Sequence, residues 1–156
     1  MEFPNHIVQP GRYPNLPAFT SESSDSPQKS LKSRKVLIVE DELLVSFEIE
    51  TALVEAGFEV TGVAISADEA IELARAQTPD LVVMDIRLVG PRDGVDAALE
   101  LFRDKGIRCL FATAHSDAGM RRRAEAARPL GWLAKPYQPQ MLVSAVEKAF
   151  AELRRQ

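Results

Sequence analysis

From Lys35 to the end of the chain, short apolar runs alternate five times with longer segments. The runs are KVLIVE, FEVTGVA, DLVVMD, RCLFAT and GWLAK, and we assign each following segment to a helix. Strand–helix pairs in this order indicate parallel strands that are joined by crossover helices. Because the runs are apolar on both faces, they fit strands that helices cover on both sides. The sequence therefore predicts an α/β fold with a doubly wound, five-stranded parallel sheet.

The helical segments carry their own start and stop signals. The first ends at Gly57, and Ser66 is predicted to cap the second, with Glu69 at the capping-box position. The third helix is predicted from about Val95 to Lys105, and the last from about Pro139 to Arg154. In the first helix the apolar residues at near-helical spacing, which indicate an amphipathic helix, are Leu43, Leu44, Phe47, Ile49, Leu53 and Val54.

Residues 1–33 differ in composition from the rest of the chain. They contain half of the ten prolines, and the stretch TSESSDSPQKS is rich in serine and almost free of apolar side chains. Such a segment cannot bury enough apolar surface to offset the entropy that ordering costs. We predict a flexible Pro/Ser-rich N-terminal extension over residues 1–33 and a folded domain over residues 34–156.

Composition excludes several classes of protein. The net charge of −4 predicts no strong attraction to nucleic acids or membranes, and no apolar run is long enough to span a bilayer. Cys109 is the only cysteine, which excludes an internal disulfide and fits a reducing cytosol. The N-terminus lacks the basic and apolar regions of a signal peptide. We therefore expect a cytoplasmic protein without a membrane anchor.

Polar residues stand where four of the predicted strands end. The first strand ends at Glu40 and Asp41, the third at Asp85, the fourth at Thr113 and the fifth at Lys135. In parallel α/β sheets the functional site lies outside the carboxyl ends of the strands. The sequence therefore predicts that three acids, one hydroxyl and one ammonium group converge at one edge of the sheet.

This set of groups suggests phosphoryl chemistry. Three crowded carboxylates repel one another unless a cation joins them, and oxygen ligands without cysteine or histidine favour Mg²⁺. Such an ion would allow one carboxylate to attack phosphorus, while a hydroxyl and a lysine stabilise the phosphoryl oxygens. Asp85, at the end of the central strand, is the predicted nucleophile.

Four motifs in register, VLIVEDE, VVMDIRL, FATA and WLAKP, resemble the signatures of the receiver domain of two-component response regulators. The resemblance covers about residues 34–156 and implies a flavodoxin-like (βα)5 fold with strand order 2-1-3-4-5. The stretch FATAH also partly resembles the Phe-Ala-Thr-Gly subgroup of single-domain regulators from alphaproteobacteria, with Ala114 in place of the glycine.

The resemblance implies how the site would be used. Asp85 would accept a phosphoryl group from a sensor histidine kinase or a histidine phosphotransfer protein. Asp41 and Asp85 would ligate Mg²⁺ directly, together with the main-chain carbonyl of Arg87, and Glu40 would act largely through water.

The same resemblance assigns roles to the residues opposite the acids. Thr113 would hydrogen-bond a phosphoryl oxygen, and Lys135 would pair with Asp85 before phosphorylation and with the phosphoryl group afterwards. The Lys135–Pro136 peptide bond is expected to be cis. Trp132 stands where the family has its switch aromatic residue, so phosphorylation would draw Thr113 inward and let Trp132 rotate.

We interpret the chain as a stand-alone response regulator that signals through protein–protein contacts and is not an enzyme beyond its own phosphotransfer and dephosphorylation. Because the last helix is predicted to end near Arg154, no DNA-binding output domain is expected, and no membrane partner is expected. The basic run Arg121–Arg123 fits either a solvated helix face or a docking surface. The sequence leaves open whether the chain forms a homodimer.

Three alternatives remain open at the level of sequence. The first is an unphosphorylated pseudo-receiver that acts as a scaffold. The second is a Mg²⁺-dependent aspartyl phosphohydrolase of the haloacid dehalogenase type, although EDEL supplies no second aspartate after Asp41. The third is a flavodoxin-like FMN binder, although the acidic EDE loop after the first strand would repel a phosphate.

Overall fold

The structure is a computed structural model that describes residues 33–156. Strands and helices alternate through these residues, and a short 3-10 turn follows the fourth helix. The strands are β1 (Lys35–Val39), β2 (Glu59–Ala64), β3 (Leu81–Met84), β4 (Arg108–Thr113) and β5 (Gly131–Ala134). The helices are α1 (Leu43–Glu55), α2 (Ala67–Gln77), α3 (Gly94–Lys105), α4 (Ala118–Ala124) and α5 (Pro139–Arg154). The predicted α/β order is confirmed.

The five strands form one sheet in the order β2-β1-β3-β4-β5, and every pair is parallel. This order is the one that the resemblance implied. From β1 the chain first adds β2 on one side and then adds β3 on the other side, where Val39 of β1 lies beside Met84 of β3. Such a switch point opens a crevice at the carboxyl ends of the strands, because the connections leave it in opposite directions.

Two apolar layers lie on opposite faces of the sheet. Successive strand residues point to opposite faces, so β1 sends Leu37 and Val39 to one layer and Val36 and Ile38 to the other. The first layer packs against α2 and α3, and the second against α1 and α5. Each fully buried Leu, Ile or Val contributes about 2 kcal/mol to this burial. The two layers account for the runs that are apolar on both faces.

The apolar spacing of α1 did not identify its buried face. Ile49 and Leu53 are buried, at 2% and 0% exposure, as an amphipathic helix requires. Four other residues of the pattern are exposed: Leu43 at 81%, Leu44 at 77%, Phe47 at 65% and Val54 at 55%. The helix is apolar around most of its circumference, and only one side can meet the sheet and α5.

The helix starts agree closely with the predictions. The Ser66 hydroxyl caps α2 by accepting from the Glu69 backbone N–H at 3.2 Å, and the Glu69 carboxylate accepts from the Ile65 N–H at 3.0 Å. Helix α3 begins at Gly94, one residue before the predicted start, because Asp93 and Asp96 form a reciprocal capping box. Helix α5 has the predicted bounds.

The predicted flexible extension over residues 1–33 lies outside the described residues, apart from Ser33. The Ser33 hydroxyl donates to the Glu59 carboxylate, and the Arg34 guanidinium pairs with Glu147 at 2.7 Å. Across residues 33–156, we find no helix with the length and apolar character that crossing a membrane requires.

Candidate active site at the carboxyl ends of the strands

The fold brings the predicted site residues to one edge of the sheet. Glu40 directly follows β1, Asp85 directly follows β3, Thr113 ends β4 and Lys135 directly follows β5. Backbone hydrogen bonds continue past the strands: the Asp85 N–H donates to the Val39 carbonyl at 2.9 Å, and the Lys135 N–H donates to the Thr113 carbonyl at 3.0 Å. The backbone of each functional residue is therefore held by the sheet itself.

One ammonium group joins two acids at the centre of this site. The Lys135 Nζ lies 2.7 Å from the Glu40 Oε2 and 3.0 Å from the Asp85 Oδ2. Glu40 is 1% exposed and Asp85 is 7% exposed. The predicted pairing of Lys135 with Asp85 is present, and the shorter contact to Glu40 adds a second partner.

The backbone around Asp85 orients its carboxylate. The Asp85 Oδ1 accepts a hydrogen bond from the Ile86 N–H at 2.7 Å, while the Oδ2 faces Lys135. Gly94, the first residue of α3, packs directly against the Asp85 main chain, since a Cβ at Gly94 would lie 1.9 Å from the Asp85 carbonyl oxygen. The close approach of α3 therefore requires glycine at that position.

Burial and charge set the protonation behaviour of the site. Burial raises the pKa of Glu40 from 4.5 to about 7, and the Lys135 hydrogen bond opposes this shift while the nearby Asp85 charge adds to it. Burial lowers the pKa of Lys135, but its hydrogen bonds to the two acids outweigh burial and the net pKa is raised. Lys135 is therefore charged at neutral pH, and burial makes Glu40 easier to protonate than an exposed glutamate.

Three carboxylates lie close enough to share a cation. Oxygens of Glu40, Asp41 and Asp85 all lie within 4.8 Å of one another, and Asp41 is exposed to solvent while the other two are buried. Hard oxygen donors with one open side suit Mg²⁺, which keeps several of its waters. The donor set therefore fits a magnesium ion that solvent and substrate can reach. The predicted part of the Arg87 carbonyl stays a prediction.

Thr113 brings a hydroxyl group to the end of β4. Thr113 is buried, and its Oγ1 accepts from the His115 N–H at 3.3 Å and donates to the His115 carbonyl at 3.4 Å. Among residues 33–156 no hydrogen bond joins Thr113 to Asp85. The Thr113 hydroxyl is therefore bonded to the backbone of its own loop.

Trp132 lies on β5, opposite Phe111 of β4 in the sheet register. The two rings stack with centroids 4.5 Å apart and an interplanar angle of 19°. Trp132 is partly buried and packs against the core layer that contains α2 and α3. The role of Trp132 as a switch residue stays a prediction. The expected cis peptide bond between Lys135 and Pro136 is confirmed.

Sequence reasoning missed residues that shape the site. The Asp93–Gly94 pair starts α3 beneath Asp85, and the only signal was the Asp-Gly dipeptide within RDGVD. Tyr137 was also missed: its hydroxyl is buried without a hydrogen-bond partner among residues 33–156, and burial raises its pKa to about 12. Tyr137 lines a cavity of about 290 Å³ beside Lys135, between α1 and the start of α5.

The geometry supports covalent chemistry at one carboxylate. Asp85 is oriented by a backbone N–H and a lysine, and it stands next to acids that fit a hard cation. An anionic electrophile could approach only if a cation neutralised the acids, which the donor set permits. A phosphoryl group is the electrophile that such a site suits best.

Known proteins share this sequence pattern. Residues 36–147 match the family described as the response regulator receiver domain. The chain is 38% identical over 121 residues to the transcriptional regulatory protein PdtaR of Mycobacterium tuberculosis, across 78% of this chain and 58% of that protein. It is 31% identical over 116 residues to the chemotaxis protein CheY of Thermotoga maritima, across 74% of this chain and 96% of that protein.

A solved structure shares both the fold and part of the sequence. The signal receiver domain of a modulated diguanylate cyclase from Desulfovibrio desulfuricans G20 superposes with a TM-score of 0.71 at 33% identity. The match covers 77% of this chain and 95% of that domain. The chain spans little more than half the length of PdtaR, while it spans nearly all of the receiver domain from D. desulfuricans.

Proposed function

Because the chain belongs to the response regulator receiver domain family, we propose that it accepts a phosphoryl group on Asp85 from a sensor histidine kinase or a histidine phosphotransfer protein. One observation carries the proposal: Lys135 bridges Asp85 and Glu40 at the strand ends, with Asp41 close enough to complete a cation site. Each of these groups has a part in phosphoryl transfer to a carboxylate.

The transfer exchanges one bond to phosphorus for another. An Asp85 carboxylate oxygen attacks the phosphorus of a phosphohistidine, the phosphorus–nitrogen bond breaks, and the imidazole leaves with its electron pair and takes up a proton. The product is an acyl phosphate on Asp85. Water later attacks this phosphorus, which releases inorganic phosphate and restores the carboxylate, so the chain acts on itself and turns over no other substrate.

The acids would hold Mg²⁺ during this step. Asp41 and Asp85 are the direct ligands in the proposal, together with the Arg87 carbonyl, and Glu40 acts through water. When bound, the ion supplies positive charge that offsets the repulsion between the carboxylates and an incoming phosphoryl group. The buried position of Glu40 and the exposed position of Asp41 leave one open side for the donor.

Lys135 and Thr113 act on the phosphoryl oxygens. The Lys135 ammonium, now 3.0 Å from the Asp85 Oδ2, exchanges this carboxylate for a phosphoryl oxygen after transfer. The Thr113 hydroxyl leaves the His115 backbone and donates to another phosphoryl oxygen. Its movement frees space for Trp132 to rotate, which changes the surface that β5, α4 and α5 form.

The output of this change is a protein–protein contact. A local charge event at Asp85 biases a two-state surface, which a downstream protein then reads. In this function the chain acts in the cytoplasm without a DNA partner, and the single buried Cys109 stays reduced there.

Phosphorylation of the purified chain tests this function. Acetyl phosphate and Mg²⁺ are added to the wild type, Asp85→Asn and Asp68→Asn, and the products are separated on a Phos-tag gel with and without prior heating. Asp68→Asn is the matched control, because Asp68 is an exposed carboxylate on α2 that pairs with Arg92. We expect a heat-labile shifted band in the wild type and the control, but not in Asp85→Asn.

Two other outcomes would contradict the proposal. If the wild type shows no shifted band with acetyl phosphate or with a phosphorylated histidine kinase, the chain is a scaffold. If it releases p-nitrophenol from p-nitrophenyl phosphate in an Asp41-dependent manner, it is a phosphohydrolase.

A further inference from the structure

Trp132 lies between an aromatic ring and a cation. Phe111 stacks on one side of the indole at a centroid distance of 4.5 Å. The guanidinium carbon of Arg121 lies over the indole, 4.7 Å from the centroid of the Trp132 ring. Among aromatic residues, tryptophan forms the strongest contacts of this type, because its ring has the largest negative face. The single tryptophan of the chain is therefore held by Phe111 from β4 and by Arg121 from α4.

Arg121 also contacts the loop that carries Thr113. Its Nη2 donates to the Ser116 Oγ at 3.3 Å, and Ser116 lies in the loop between β4 and α4. The Thr113 hydroxyl is hydrogen-bonded to the backbone of His115 in the same loop. A single arginine side chain thus contacts both the loop next to the phosphoacceptor site and Trp132.

The neighbouring arginines are placed differently. Arg123 pairs with the capping residues Asp93 and Asp96 at the start of α3, which anchors α4 to α3. Arg122 is exposed, and its guanidinium forms no hydrogen bond or ion pair with any of residues 33–156. The basic run that the sequence left as a solvated face or a docking surface therefore contains one residue with a contact to Trp132, and Arg122 provides a matched control.

We propose that Arg121 is a positioning residue that holds Trp132 against Phe111 in the unphosphorylated protein and releases it when the β4–α4 loop moves. The release rests on the proposed function, since phosphorylation of Asp85 is what moves Thr113 and its loop. When the loop moves, Ser116 no longer holds the guanidinium over the ring. Trp132 then rotates, and its contact with Arg121 is lost.

The fluorescence of Trp132 tests the hold directly in the full chain. Acrylamide quenching is measured for the wild type, Arg121→Ala, Arg121→Lys and Arg122→Ala without any phosphoryl donor. A contact of this kind shifts an equilibrium by about two- to five-fold. We expect more quenching in Arg121→Ala, partial rescue in Arg121→Lys, which keeps a cation over the ring, and no change in Arg122→Ala. Quenching of Arg121→Ala equal to that of the wild type would overturn the proposal.

The second arm of the experiment tests the release. With Mg²⁺ and beryllium fluoride, quenching of the wild type is expected to shift, because Trp132 leaves Arg121 and turns toward the space that the buried Thr113 vacates. Arg121→Ala already lacks the contact, so its quenching is expected to shift less. A full wild-type response in Arg121→Ala would overturn the release. The same purified proteins are also treated with acetyl phosphate and run on a Phos-tag gel. If the wild type shows no shifted band, the proposed function fails. The quenching measured without a phosphoryl donor still decides whether Arg121 holds Trp132.

Discussion

At the scale of single residues, one lysine balances the negative charge of two acids in the site. Lys135 is the one ammonium group that contacts Glu40 and Asp85 among residues 33–156. Two carboxylates in a buried position repel each other and lose solvation, so the lysine offsets part of both costs. A cation at the same acids would offset them in the same way, which links the folding of the domain to its ligand.

Lys135→Ala tests this balance. We expect the free energy of unfolding in metal-free buffer to fall by about 2 kcal/mol, because two buried carboxylates lose the ammonium group that pairs with them. Urea unfolding gives the value, and added Mg²⁺ should restore part of it. Lys148→Ala is the control, since Lys148 is exposed on α5. A loss in Lys135→Ala no larger than in the control would contradict the charge balance.

Gly94→Ala tests the contact between α3 and the phosphoacceptor backbone. The new Cβ would meet the Asp85 carbonyl oxygen at 1.9 Å, so the backbone must move. We expect a loss of about 2 kcal/mol in stability and a weaker Phos-tag band. In the control Gly119→Ala the new Cβ finds only an ordinary contact at 3.4 Å in α4. Equal stability and equal labelling of the two variants would show that α3 does not constrain Asp85.

At the scale of elements, the helices differ in how well the spacing of their apolar residues predicts the face that is buried. In α3 and α5 the buried residues follow a single stripe, whereas α1 is apolar on its exposed side as well. Hydrophobic spacing identified α1 as a helix, but it could not select the face that meets the sheet. That choice depends on the direction in which the chain leaves β1, which the local pattern does not encode.

Paired substitutions in α1 make this distinction measurable. Leu53→Ala is expected to lower the free energy of unfolding by about 3 kcal/mol, because it leaves a cavity in a fully buried position. Phe47→Ala should change it by no more than about 0.5 kcal/mol, because Phe47 is 65% exposed. Urea unfolding gives both free energies from the midpoints, provided that the dependence on urea concentration has the same slope in each variant. Similar losses of stability in the two variants would mean that Phe47 is buried in solution.

The start of α3 predicts a dependence on pH. Burial opposes ionisation of Asp93, but the Arg123 guanidinium and the Asp96 N–H outweigh it, so the pKa of Asp93 lies below its ordinary 3.8. The ionised group therefore stabilises the fold above pH 3.8, and this stability is lost as the pH falls through the lowered pKa. We expect Asp93→Ala to cost about 1 kcal/mol at pH 7. The difference from the wild type should shrink below pH 3.8.

Chemical unfolding of both proteins across this pH range is the measurement. Asp68→Ala, which removes an exposed carboxylate from the neighbouring helix α2, serves as the control and should stay within about 0.5 kcal/mol of the wild type throughout. If the difference in unfolding free energy between Asp93→Ala and the wild type does not change with pH, the Asp93 charge does not contribute and only its capping hydrogen bond does.

At the scale of the whole molecule, ligand binding and folding are coupled because the acids converge only in the native sheet. Glu40 and Asp85 are far apart in sequence and neighbours only through β1 and β3. An ion that binds the folded state alone raises the free energy of unfolding by about 1.4 kcal/mol at ten times its dissociation constant. We expect Mg²⁺ to raise the melting temperature accordingly.

Asp41→Asn is the variant that tests this coupling. Asp41 is exposed, so its loss should leave the metal-free fold unchanged while it weakens the shift that Mg²⁺ produces. Thermal unfolding with increasing MgCl₂, compared with KCl at matched ionic strength, separates binding from general screening. An equal response to both salts, or an undiminished Mg²⁺ response in Asp41→Asn, would argue against the three-carboxylate site.

Much of the molecule follows from local sequence. Runs of β-branched and apolar residues ended by polar ones located the strands and, at their ends, Asp85, Thr113 and Lys135, because a buried strand must end where the chain becomes polar. The bounds of α5 and the Ser66 cap were also predicted, since caps and helix starts depend on residues within a few positions of each other.

Contacts between distant residues needed the tertiary structure. The second partner of Lys135, the approach of Gly94 to Asp85 and the position of Arg121 over Trp132 each join elements that are separate along the chain. The sequence by itself determined the order of elements, the parallel sheet and the residues at its edge, because period and polarity are local properties. Which of those residues touch, and which face of α1 stays exposed, was decided by how the helices pack on the sheet.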